Sequence, residues 1–63
     1  MNIVLTINTD NEAFQDGNAG AEVGFILRRI AEQLRDWPGA NEFNLNLRDS
    51  NGNKVGRCEA STA

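Results

Sequence analysis

One thiol, nine carboxylates and no histidine make up the reactive inventory of this 63-residue chain. Cys58 is the lone cysteine, so no disulfide forms within the chain, and there is no imidazole to deprotonate it. On the strand register argued below Cys58 faces the core, where a thiol behaves as a small hydrophobe. An acid–base pair drawn from Asp10, Glu12 and Asp16 would need a pocket that raises one pKa, and these residues fall on a short polar loop that offers none. Asp49-x-Asn51-x-Asn53 has the opening of a calcium loop, but Lys54 stands where that loop needs Gly and Ala60 where it needs its last Glu; it reads as a turn. Gly17 and Gly20 lack the strand and lysine of a phosphate loop. Metal-ligand spacing is absent. The expectation is a non-enzyme with no cofactor and no metal.

Binding chemistry is better represented. The first 27 residues hold four carboxylates (Asp10, Glu12, Asp16, Glu22) and no Lys or Arg, whereas all six basic residues lie between Arg28 and Arg57 among the other five acids. The net charge of -3 and a pI near 4.6 disfavour direct contact with DNA or RNA, which rests on phosphate neutralisation by Lys and Arg. A row of carboxylates can instead imitate phosphates and occupy a basic protein groove. It can equally be a solvated surface, and the positive end of a helix dipole beside it would offset part of its field. Phe25 is a second candidate. It falls opposite the apolar stripe of its helix, near Arg29 and Glu32, where it could anchor an interface or lie under the 10–19 loop.

These side chains need elements to position them. Asn2–Asn8 is β-rich and predicts an opening strand, with Ile3, Leu5 and Ile7 on one face and Val4 and Thr6 on the other. Thr9-Asp10-Asn11-Glu12 has capping-box spacing ahead of a single helical turn that tucks Phe14 against the core and ends at Asp16-Gly17-Asn18. Val23, Ile26, Leu27, Ile30, Leu34 and Trp37 recur at helical spacing, which predicts a helix from Ala21 to Trp37, capped by Asn18 and stopped by Pro38-Gly39. Glu42–Arg48 alternates with Phe43, Leu45 and Leu47 inward. Asn51-Gly52 then predicts a two-residue type I′ turn, and Lys54–Ala60 the return strand. That register sets Leu47, Leu45 and Phe43 opposite Gly56, Cys58 and Ala60, and Arg48 opposite Val55. Ser61–Ala63 reads as a frayed tail.

The order β-α-β-β makes residues 1–63 a single domain near the lower size limit for an unstapled core. A right-handed crossover makes the first two strands parallel, with a gap that the third fills antiparallel to both. The fold class is therefore α+β: a partial ferredoxin-like, three-stranded sheet with one helix packed on one face. The other face (Val4, Thr6, Asn46, Val55, Arg57) stays open. Unprotected edge strands leave a homodimer possible in principle, although the balance favours a monomer. No run approaches the ~20 apolar residues of a membrane span, and the N-terminus lacks a charged signal region. A reducing cytoplasm is the expected compartment.

The segments Ile3–Phe14, Glu22–Ala31 and Leu47–Gly56 resemble small proteins of phages and prophages. In size, acidity and element order the chain is also similar to the anti-CRISPR inhibitors, in particular a type I-C inhibitor with an anionic partial ferredoxin-like fold. The resemblance implies a phage protein acting in the host bacterial cytoplasm on the Cascade surveillance complex, at the large Cas8 subunit where target DNA and its PAM are first engaged. It lies in shape and charge and assigns no residues; Asp10, Glu12, Asp16 and Glu22 are chosen on charge alone. The competing expectation is a small homodimeric phage structural or assembly module.

Overall fold

The computed structural model describes residues 1–62. Strand β1 (Asn2–Ile7) leads through a 3₁₀ turn (Glu12–Phe14) into helix α1 (Ala19–Arg35), followed by β2 (Phe43–Arg48) and β3 (Lys54–Ser61). The sheet order is β1-β3-β2, with β3 antiparallel to both neighbours. This is the expected α+β arrangement: the crossover through α1 leaves one strand's width between β1 and β2, and β3 fills it.

The core is small and its logic is large against small. Ile26 and Ile30 of α1 are buried, and beneath them Leu5, Cys58 and Leu45 lie abreast across the sheet, as do Ile7, Gly56 and Leu47. The central strand thus offers Gly56, Cys58 and Ala60, which leave room for the helix. Ile26 is 2% exposed, and burying a side chain of that size contributes about 2 kcal/mol. Phe14 closes one end of this cluster, as its position after the first loop implied. Trp37 and Phe43 close the other, edge to face at 4.8 Å, with the indole N–H donating to the Asn41 carbonyl at 2.8 Å.

Several local expectations are corrected. The helix starts at Ala19 and ends at Arg35, so Trp37 lies beyond it, and Asn18 has helical backbone angles and makes no side-chain cap. The 3₁₀ turn is preceded by Asn11 rather than capped by Thr9. At the hairpin a type I′ turn needs positive φ at both central residues. Gly52 has it (φ 85°), and Asn51 does not. Asp49 N–H instead donates to the Asn53 carbonyl, and Gly52 N–H to the Asp49 carbonyl, which makes a three-residue loop. Arg48 consequently faces Lys54, and Val55 becomes an extra, bulged residue before Leu47 meets Gly56. The bulge turns Val55 into the core at 5% exposure, away from the open face. At the far end Ser61 belongs to β3, and the Thr62 N–H and hydroxyl both donate to Glu42 Oε2, so this stretch is tied down; Ala63 lies outside the described residues.

Helix α1 does not sit evenly over the sheet. Its Arg29–Gln33 flank borders β2, enclosing with Asn46 and Leu47 a space of about 20 Å³, which is room for one water. The opposite flank, carrying Val23, Leu27 and Leu34, therefore leans toward β1. Even so, Leu27 is 42% exposed, and Ile3 and Leu5, on the helix side of β1, are 51% and 43% exposed. The single helix does not reach far enough to cover the edge strand.

Candidate acidic binding surface

The hairpin tip is organised by one carboxylate. Asp49 is 3% exposed; its Oδ1 accepts the N–H groups of Asn51 and Asn53 at 3.0 and 2.9 Å, and its Oδ2 accepts the Asn11 amide at 3.2 Å. Burial pushes the Asp49 pKa up, but these donors together outweigh it and hold the carboxyl below its ordinary value. Asn11 heads the 3₁₀ turn, so this bond fastens the first loop to the hairpin. A second tie comes from α1, where Glu22 Oε1 accepts the Ser50 hydroxyl at 2.7 Å. Three segments distant in sequence thus meet at one end of the molecule.

The loop before α1 is also held locally. Asp10 N–H donates to Asn8 Oδ1 at 2.8 Å, and the Gln15 side-chain amide donates to the Asp10 carbonyl at 3.2 Å. Asp16 takes a left-handed backbone (φ 58°), a conformation that Asp tolerates better than most residues.

The four sequence-predicted acids are brought to this end but not into one cluster. Glu12 and Glu22 line one shallow depression with Ser50 and Asn51, while Asp10 lines another with Asn8, Asn11 and Lys54; Asp16 lines neither. Among the described residues no salt bridge reaches any of the four; the ion pairs are Glu32–Arg35 at 3.4 Å and Glu59–Arg57 at 3.1 Å. The carboxylates of Asp10, Glu12 and Asp16 point into solvent on a braced loop, and Glu22 is half-buried and shared with Ser50. Glu42 and Glu59, by contrast, have internal partners, and the Thr62 donors hold the Glu42 pKa below its usual value. Lys54, and Arg48 through its bond to the Gly52 carbonyl, bring positive charge to the same end.

The sequence marks Asp49 only as part of a turn and gives Asn11 no role at this surface. The signal was present: Asp favours the first position of a turn whose following N–H groups its side chain can accept.

Phe25 is not under the loop. It stands 43% exposed on the solvent side of α1 with the Arg29 guanidinium 5.6 Å from its ring centre. A cation–π contact at such an exposed site contributes about 0.5–1 kcal/mol. Phe25→Ala is therefore expected to move the thermal midpoint by only a few degrees; a loss of more than about 10 °C in a melt would show instead that the ring packs in the fold.

Cys58 is 2% exposed and faces the core, and burial, then the nearby Glu59 charge, pushes its pKa up. Among the described residues no three of His, Cys, Asp and Glu are grouped to hold a metal ion, and no helix is long and apolar enough to cross a membrane. Comparison with protein-family models, with curated proteins and with solved structures finds no match to this chain.

Proposed function

We propose that this chain acts by binding rather than by catalysis, and that its acidic end occupies a cationic protein groove built for nucleic acid. The observation that carries this reading is the braced loop, on which Asp10, Glu12 and Asp16 stand exposed and without a cationic partner among the described residues. Held carboxylates can meet Lys and Arg without the ordering cost of a mobile tail. The resemblance in the sequence makes the partner to test first the Cascade complex of a type I-C CRISPR system, at Cas8, where competition with target DNA in the bacterial cytoplasm would block recognition. The chain is then an anti-CRISPR inhibitor of phage origin.

The test is a competition assay with purified Cascade and a PAM-bearing duplex. Wild-type chain is expected to displace the duplex, with an affinity that falls as salt rises. The combined variant Asp10→Lys, Glu12→Lys, Asp16→Lys is expected to bind at least about ten-fold more weakly and with a shallower salt dependence. Equal inhibition by this variant would remove the acidic loop from the mechanism, and no displacement by the wild type would remove Cascade as the partner.

A further inference from the structure

The outer edge of β1 has no strand beside it among the described residues, and exposed apolar side chains stand both on β1 and on α1. Ile3 and Leu5 on the helix side, Val4 on the open side and Leu27 on the near flank of α1 are each between 42% and 52% exposed. No charged side chain occurs from Met1 to Thr9. On α1 the flank turned this way carries Val23, Leu27, Ala31 and Leu34, again without charge. Edge strands of monomers are ordinarily blunted by charge, proline or a bulge, and β1 has none of these. The opposite edge is different. On β2, Asn44, Asn46 and Arg48 present polar side chains, and the bulge lies at the end of its ladder.

We propose that β1 pairs antiparallel with β1 of a second copy across a two-fold axis at Val4, making a six-stranded sheet with the two helices side by side on one face. The edge is complementary to itself. Asn8 N–H bonds to β3, so by alternation the even-numbered residues of β1 face β3 and the N–H and C=O groups of Ile3 and Leu5 point outward. Centring the pair on Val4 sets Ile3 opposite Leu5 of the second copy, so the outward groups of both strands meet as hydrogen-bonded pairs. The same register buries Ile3, Leu5 and Leu27 against their counterparts under the two helix flanks. A charged partner strand would find nothing to pair with here, whereas a neutral, aliphatic, self-matching strand fits, and β1 is one.

The expected strength follows from size. The five residues Asn2–Thr6 that this register pairs span about 17 Å, and with the helix flank the contact covers on the order of 500 Å² per copy, the lower end of specific interfaces. Association is therefore expected at micromolar concentration. The loop after β1 lies at opposite ends of such a dimer, so the acidic surfaces point apart and this inference does not depend on what they bind.

Sedimentation equilibrium of the whole chain from about 5 to 500 μM tests it. The mass is expected to rise from 6.9 kDa toward twice that value. Leu5→Pro, which removes an outward N–H and the half-exposed leucine side chain, and Ile3→Lys, which charges the edge, are each expected to raise the midpoint concentration at least ten-fold with circular dichroism unchanged. Asn46→Lys on the other edge should leave it unmoved. Should a variant fail to fold, amide exchange of Leu5 in the wild type decides: protection that grows with protein concentration supports the pairing. A mass of 6.9 kDa at every concentration would overturn the dimer and leave the edge to an unlike strand. Association lost in Asn46→Lys but not in the β1 variants would overturn the choice of edge.

Discussion

Gly56→Ala is expected to remove most of the chain's folding stability at 25 °C. Gly56 is the point where the central strand, the bulge and the edge strand crowd together. A methyl group there would overlap the Thr6 carbonyl oxygen, with the Thr6 carbonyl carbon at 2.9 Å and the Ile7 Cα at 3.0 Å. These are backbone atoms of β1 and cannot rotate aside as a side chain could. Relief requires β1 to move away from β3, which breaks the ladder that pairs Ile7 with Gly56 and Thr6 with Arg57. Overpacking of this kind costs about 3 kcal/mol or more, and a single core in a chain this short supplies about 3–5 kcal/mol in all. Urea unfolding followed by circular dichroism measures it, and a midpoint within a few tenths molar of wild type would show that the close approach is not there.

Asp49→Ala is the second large effect, with an expected loss of about 10 °C in thermal midpoint. The carboxylate is the acceptor for two backbone N–H groups inside the hairpin tip and for the Asn11 amide, and all three donors lose this partner when it is removed. The hairpin and the first loop would loosen together, so the acidic surface loses its brace along with stability. The pH dependence has a definite sign. Because the folded pKa is lowered, the contribution of Asp49 is present in full above the unfolded value near pH 4 and is lost as pH falls through the folded value. Wild type should thus lose stability on acidification below about pH 4 more steeply than Asp49→Ala. Parallel acid profiles of the two proteins would contradict the role given to this carboxylate.

The elements and their order were readable because each carried its own period. Phe43, Leu45 and Leu47 alternate, Ile26 and Ile30 fall one turn apart, and one crossover rule then placed β3 between β1 and β2. The register beyond Leu47 was also readable, although the turn that sets it was not. Asn51-Gly52 favours two turn types that differ by one residue, and the side chain of Asp49 decides between them by capturing the N–H groups of Asn51 and Asn53. The bulge at Val55 then absorbs the difference, and no hydrophobic alternation reports a bulge in advance. The acidic segment shows the same division. Its charge is plain in the sequence, but its rigidity depends on Asn11 and Asp49, 38 residues apart, and on Glu22 and Ser50, 28 apart. Contacts at such separation leave no local pattern.

The strand that comes last along the chain is the one that stands in the middle of the sheet. Until residues 54–61 are available, neither β1 nor β2 has any strand to pair with, since they never touch each other as neighbours. During synthesis the first strand and the helix must therefore wait, and the elongating chain gains its sheet only once residues 54–61 have left the ribosome. The β2–β3 hairpin closes over a few residues, whereas β1 joins Asn2 to Ser61 and so closes a loop that spans the helix and both other strands. In temporal terms, the apolar edge strand is made before either of the other two strands and is the last of the three to be sheltered.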